Sequence, residues 1–209
     1  GGWVCKENGQ DINMPRIASR ARALQPGLII VDRTIHGPYE NYQTPERTIP
    51  EQQLNYPWES CIPLSNDWGW VKNPVWKSAT KVINTLVEVV AKGGNLVLGV
   101  GPTADGRIQK EAACRLDSIG QWLKHYGKAI YNTVPTPYYK NGRQRYAIYA
   151  LSDGEEMPST LSWHTNVPKS VMLLGVNKRL KMTKTNDGKV TVKLPEGMKA
   201  EPFALQLNL

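Results

Sequence analysis

Cysteine and histidine are both scarce in this 209-residue chain. The three cysteines, Cys5, Cys61 and Cys114, are odd in number and far apart, so they form neither a disulfide framework nor a zinc-type spacing. His36, His125 and His164 are as widely scattered, which argues against a metal site. No apolar run approaches the length of a membrane span. The longest, around residues 82–91, is interrupted by Asn84, Thr85 and Glu88. The chain opens "GGWVCKENGQ", without an initiator Met or a charged-then-apolar leader, and is expected to be the later part of something longer.

The charge is strongly basic, +8 in all, but it is unevenly placed. Residues 1–126 hold 14 Lys and Arg against 12 Asp and Glu, whereas residues 127–209 hold 12 against 6. In the second part the lysines are spread through strand-like alternations instead of lining one helix or patch. That pattern predicts a solvated basic face and no nucleic-acid partner.

What is present divides near Gly127. Before it, "GLIIVDR" (27–33) and "NLVLGVGP" (95–102) are continuous apolar runs, as expected of parallel strands buried on both faces. Asn13, Pro15 and the spacing of Ile17, Ala18, Ala21 and Leu24 predict a helix ahead of the first run. Asn73 as cap, Pro74 in the first turn, and an apolar stripe of Ala79, Val82, Ile83, Leu86, Val87 and Val90 predict a second, ended by Gly93 and Gly94. A third is expected from about Lys110 to Tyr126, with Gly127 at its C-cap. Alternating strands and helices indicate parallel β/α units. After Gly127, "RYAIYALS", "STLSWHT", "KSVMLLGV", "KVTVKL" and "FALQLNL" are short and often alternate, and "NDG" at 186–188 is a hairpin turn; these predict an antiparallel β-sandwich. "NTVPTPYY" reads as the linker, giving units of 1–130 and 138–209.

In parallel β/α folds the chemistry lies at the C-terminal ends of the strands. Asp32 and Arg33 end one expected strand, and a long loop with Glu40, Glu46, Arg47 and Glu51 follows. A loop of that length in a compact domain is usually functional. In "NYPWESCIPL", Glu59 follows Trp58 within a weakly polar run, and apolar surroundings favour a carboxyl's neutral form. The plain reading of Glu59 is a strand-end carboxylate facing solvent or an arginine. Trp3, Trp58, Trp68 and Trp70 lie in or beside the loops, where flat apolar rings suit the C–H faces of sugars; taken singly, a tryptophan is more often core than platform.

"VDR", "TPER", "PWESC", "GGNLVLGVGPTADGRI" and "IGQWLKHYGKAIYNT", in that order, resemble the α-L-fucosidases of glycoside hydrolase family 29. The resemblance runs the length of the chain. It implies the later part of a catalytic (β/α) barrel followed by an antiparallel β-sandwich, and retaining hydrolysis of terminal α-L-fucosides with no cofactor and no metal. Glu59 takes the position of the general acid/base, and Arg47 that of an arginine reaching the sugar and the acid. Trp3, Trp58 and Trp68 are the expected substrate-binding aromatics. The nucleophile would be an Asp directly before Gly1, and the early strands with their fucose pocket would lie in the same or a companion chain. Glu46, beside Arg47, is the rival acid, and Asp32 is expected to orient Arg33 or a loop backbone. Gly99 departs from the Asn found in many relatives' "LLNVGP". A fucosylated oligosaccharide or glycoconjugate is the implied partner, and the periplasm or the cell exterior the implied setting. The competing class is a carbohydrate-binding module without catalysis, which would have no use for a placed acid.

Overall fold

The computed structural model describes residues 9–33, 35–135, 144–164 and 167–208. Trp3 and Cys5 lie outside them.

Two parallel strands carry the first part, β1 (Glu59–Pro63) and β2 (Asn95–Gly99), in unbroken register from Glu59 opposite Asn95 to Pro63 opposite Gly99. Between them runs helix α2 (Ala79–Ala91), and α3 (Lys110–Tyr126) follows β2. Alternation along β1 sends Trp58, Ser60 and Ile62 to one side, where they are buried. The Trp58 indole donates to the Lys92 carbonyl at the end of α2, 3.3 Å away. Its ring lies so close to Gly94 that a Cβ there would stand 2.4 Å from it, so only glycine fits. The opposite face carries Glu59, Cys61, Asn95 and Val97, and it is open: Val97 is 40% exposed.

Three features of the first part differ from expectation. The run 27–33 does not form a ladder strand. A single parallel bridge joins Val31 to Tyr42, and Ile29 is 66% exposed, because among the described residues this segment has a neighbour on one side only. A further parallel segment lies hidden in the long loop: Gln43 bridges Trp58 and Glu46 bridges Cys61. Its polar sequence and Pro45, which cannot donate to a ladder, mask it. Finally, α2 begins at Ala79, capped by Ser78, whose Oγ accepts from the Lys81 amide at 3.0 Å. Asn73 and Pro74 do not start it. The preceding residues run antiparallel beside 64–66 instead, with the Val75 amide donating to Asn66 Oδ1 and the Lys77 amide to the Leu64 carbonyl.

Helix α1 (Met14–Leu24) forms as predicted under an Asn13 cap, but Ile17 and Leu24 are exposed and only Ala18 is buried. Helix α3 has the predicted bounds. Gly127 keeps a right-handed φ of −57°, so the chain continues into a 3₁₀ turn, Gly127–Ala129.

The second part contains two antiparallel sheets. One is ordered β3 (Gln144–Tyr149), β9 (Phe203–Asn208), β5 (Ser170–Leu173), β6 (Lys178–Arg179); the other is β4 (Thr160–His164), β8 (Lys189–Lys193), β7 (Met182–Lys184). The "NDG" turn joins β7 to β8, with Gly188 at φ +81°. Strand β9 is buried at every position from Phe203 to Leu207 because it is covered on both faces. Its α3 side is seen in two bonds: Trp122 Nε1 donates to the Pro202 carbonyl at 2.6 Å, and Lys128 Nζ to Gln206 Oε1 at 3.1 Å. One apolar cluster thus runs from Val82 and Ile83 of α2 through Ile119, Trp122 and Tyr126 of α3 to Val171, Val192 and Phe203.

Trp122 is the side chain that joins the helices to the sheets. Its replacement by Ala removes a large buried ring and leaves the Pro202 carbonyl without its donor. A loss of about 3–5 kcal/mol is expected, read as a lowered denaturation midpoint, with the parallel and antiparallel parts melting together.

Candidate active site at the strand C-terminal ends

The parallel ladder has a direction, so it sorts the candidates. Val31 is in register with Tyr42, Gln43 with Trp58 and Glu46 with Cys61, so Thr44 and Glu59 stand at one level, with Asp32 bonded to Thr44, Glu46 two residues further on, and Asn66 and Trp68 beyond β1. Glu59 thus lies two residues short of Glu46 along the ladder. It begins β1 instead of ending a strand, because the strand is Glu59–Pro63 and "NYPW" precedes it. Four residues of extended chain, roughly 13 Å, separate it from the C-terminal end.

Arg33 Nη1 pairs with Glu46 Oε2, both side chains being nearly half exposed. Asp32 holds the neighbouring backbone: its Oδ1 accepts from the Thr44 amide at 2.9 Å and from Thr44 Oγ1 at 2.8 Å. This is the orienting task that the sequence suggested for it. Arg47 has a left-handed φ of +59°, uncommon for a non-glycine residue and costly enough to mark functional segments. Its guanidinium lies 4.9 Å from the centroid of the Trp68 ring, and Nη1 donates to the Asn66 carbonyl at 3.3 Å. The structure therefore brings Arg47 and Trp68 together. Trp68 also lies over Gly99, whose hypothetical Cβ would meet the ring at 3.5 Å, an ordinary contact. The loops after β1 and β2 touch at Gly101, where a Cβ would fall 2.4 Å from the Gly69 backbone.

One expectation changes here. Trp58 is 2% exposed and packed on Gly94, so neither face of its ring is free for a sugar. Trp70, half exposed, and Trp68 are the rim tryptophans among the described residues. Lys77 went unnoticed in the sequence. Its Nζ donates to the carbonyls of Pro63 at 2.7 Å and Ser65 at 2.9 Å, tying down the chain as it leaves β1. Burial, then the charges of Arg47 and Lys81, lower its pKa. Arg33 was expected at a strand end with Asp32 orienting it, but its pairing with Glu46 was not. Its partner stands thirteen residues away on a neighbouring segment, and no local pattern announces the pair. Among the described residues no group of His, Cys, Asp and Glu is disposed to hold a metal, and no helix is long and apolar enough to cross a membrane.

The family model described as alpha-L-fucosidase matches residues 1–128. The chain belongs to the α-L-fucosidase family. Among its relatives, the alpha-L-fucosidase of Branchiostoma floridae is 30% identical over 175 residues, covering 77% of this chain and 38% of the relative. The human tissue alpha-L-fucosidase is 28% identical over 176 residues, covering 77% and 37%. The chain thus spans well under half the length of the curated relatives it matches. Solved α-L-fucosidases share its fold: isoenzyme 1 from Paenibacillus thiaminolyticus has a TM-score of 0.80 at 22% identity, over 93% of this chain and 53% of that one. The GH29 enzyme of Bacteroides thetaiotaomicron has a TM-score of 0.76 at 23% identity, over 92% and 51%.

Within this fucosidase-family chain, Glu59 has a definite neighbour in Tyr42, which also feels the charges of Asp32 and Arg33. The Tyr42 phenol is raised above its ordinary pKa, by burial first and then by the negative charge of Glu59. A raised phenol leaves the folded state holding its proton where the unfolded chain has lost it. The stability it confers is thus present below about pH 10 and declines as pH rises above that. In a tyrosine-resolved NMR titration, Tyr42 should ionise later than the exposed tyrosines, and Glu59→Gln should lower its midpoint without removing the whole shift. An unmoved midpoint would show that the two groups are not coupled.

Proposed function

We propose that this chain supplies the later part of a catalytic (β/α) barrel, residues 1–130, and a β-sandwich, residues 138–209, of a retaining α-L-fucosidase acting on fucosylated oligosaccharides or glycoconjugates. Family membership and the parallel β/α order support the barrel. The open face of Cys61, Asn95 and Val97, with exposed Ile29, is the surface that remaining strands would cover, in the same chain or a companion. A periplasmic or secreted setting, where fucosylated glycans are met, accompanies this reading, as does hydrolysis without a cofactor.

The observation that carries the assignment of roles is the direction of the ladder. A retaining glycosidase needs two carboxyl groups roughly 5 to 5.5 Å apart, one attacking the anomeric carbon and the other protonating the leaving oxygen. In barrels such groups stand at the strand C-terminal ends. Glu46 closes its segment two residues further along the ladder than Glu59, which opens β1, and on that ground the general acid/base role is assigned to Glu46 in preference to Glu59. In the first half-reaction the Glu46 proton goes to the glycosidic oxygen as an Asp directly before Gly1 bonds to the sugar. Arg33 compensates the carboxylate charge left behind. In the second, Glu46 takes a proton from water, whose oxygen displaces the Asp with configuration retained. Arg47, stacked on Trp68, forms a charged and aromatic rim for the sugar.

Glu46→Gln in the intact protein should cut hydrolysis of unactivated fucosyl disaccharides by on the order of 10²–10⁴, and that of activated aryl fucosides far less, because a good leaving group needs little protonation. Glu59→Gln should show no such dependence on the leaving group. The reverse result would return the role to Glu59.

A further inference from the structure

The second part carries twice as many cations as acids, and the hydrolytic chemistry uses none of them. Three of them meet at one place. Strand β6 is the edge of the first sheet, and from it the chain crosses through Leu180 and Lys181 to β7 in the other sheet. The crossing is held on both sides: the Leu180 amide donates to the Val171 carbonyl at 2.9 Å, and the Lys181 carbonyl accepts from the Lys193 amide at 3.4 Å. Beside it opens a cavity of about 380 Å³ lined by Lys169, Ser170, Arg179, Leu180, Lys181 and Met182. No carboxylate of the described residues lines it. Asp153, Glu196 and Glu201 are engaged elsewhere, with the Ser78 hydroxyl, beside Lys193 and with Lys199.

The hydroxyl on this lining is oriented by a buried relay. Gln206 is a polar residue, 5% exposed, in the apolar strand β9, and its bonds run in one direction. Lys128 Nζ has no lone pair and can only donate, so it fixes Oε1 of Gln206 toward itself, at 3.1 Å. The Gln206 amide nitrogen must then donate onward to Asn208 Oδ1 at 3.1 Å, and Asn208 Nδ2 donates to Ser170 Oγ at 2.8 Å. Ser170 thus accepts from within and keeps its own hydroxyl proton to give. Ser170, Asn208 and Gln206 share one face of the sheet with Met172, and Arg179 stands opposite Met172 in register, so relay and guanidinium lie on the same face. A lining that offers a hydroxyl proton, a guanidinium and ammonium groups, with no acid among them, fits an anion. Leu180 and Met182 add an apolar wall, which a bare inorganic ion cannot use and the C–H face of a sugar can. No aromatic ring lines the cavity, so a nucleic-acid base has nothing to stack on. We propose that this cavity binds a sugar residue bearing a sulfate or carboxylate group, with Arg179, Lys181 and the Ser170 hydroxyl on the acid and Leu180 and Met182 on the ring, as a glycan-holding site built on the sandwich. The inference rests on the α-L-fucosidase reading for its choice of a glycan as the bearer of the acid.

The test is a titration of the intact protein, followed by backbone amide NMR, with N-acetylglucosamine 6-sulfate, N-acetylneuraminic acid, neutral N-acetylglucosamine and inorganic sulfate. At least one sugar acid should bind and move the amides of residues 169–170 and 179–182, and which of the two binds better tells sulfate from carboxylate. The neutral sugar should not bind, and inorganic sulfate should bind about tenfold more weakly than the better sugar acid, since it gains nothing from Leu180 and Met182. Arg179→Gln and Ser170→Ala should each weaken binding of that acid by about tenfold. Lys128→Met, which touches only the far end of the relay, should weaken it by about threefold as the relay loses its fixed polarity. All three variants should hydrolyse para-nitrophenyl α-L-fucoside at the wild-type rate. Binding of neither sugar acid, equal binding of inorganic sulfate, or unchanged affinity in the Arg179 and Ser170 variants overturns the site. Tighter binding of a single-stranded oligonucleotide than of either sugar acid overturns it as well. Each of these leaves the fucosidase reading intact, whereas a wild-type protein that fails to hydrolyse the nitrophenyl fucoside overturns that reading and with it the reason for choosing a glycan.

Discussion

The parallel pairing of β1 with β2, from Glu59 opposite Asn95 to Pro63 opposite Gly99, is the constraint on which the rest of the site depends. A parallel ladder gives every attached segment a common direction. The backbone bonds at Gln43–Trp58 and Glu46–Cys61 extend that direction to the loop segment 42–46. Two acidic residues are thereby set two residues apart along the ladder, Glu46 level with Cys61 where its segment ends and Glu59 level with Thr44 where β1 begins. The alternation of side chains does the complementary task. It presses Trp58 and Ile62 against the helix side and leaves Glu59, Cys61, Asn95 and Val97 on the other face.

Charges around the site are arranged to hold backbone as well as to face substrate. Asp32 takes the Thr44 amide, Lys77 takes the carbonyls of Pro63 and Ser65, and Arg47 takes the Asn66 carbonyl. Each bond pins a segment that leaves or enters the ladder without regular structure of its own. A loop with no strand or helix partner for its polar groups needs side chains to satisfy them. The left-handed backbone at Arg47 belongs to the same set, since the turn there carries the chain from Glu46 to its position over Trp68.

The antiparallel sheets support this arrangement from behind. Strand β9 is buried throughout because α3 covers one face of it, and the Trp122–Pro202 bond lies inside that contact. Helix α2, whose C-terminal carbonyl holds the Trp58 indole, packs against α3 through the same apolar cluster that reaches Phe203 and Val192. The geometry at the strand ends thus rests on a core that the chain completes only in its last strand.

Much of the architecture was legible in the sequence because it is written in local patterns. Helical spacing marked α1 and α3, alternation marked the sandwich strands, and "NDG" marked the β7–β8 hairpin; each depends on neighbours a few residues apart. Family motifs did the same for the fold as a whole. Tertiary structure decided what depends on distant partners. The sequence placed a helix start at Pro74, but residues 73–77 pair with 64–66, and that pairing moved the start to Ala79. A polar run containing Pro45 gave no sign of being a parallel segment, because the partner strand and not the side-chain pattern makes it one. Trp58 looked like a platform until Gly94 was seen to receive its ring. Above all, the sequence could name the carboxylates Glu46 and Glu59 but not the level on the ladder at which each falls. A strand's direction at a site is a property of its register with other strands, and register is settled only when the chain is packed.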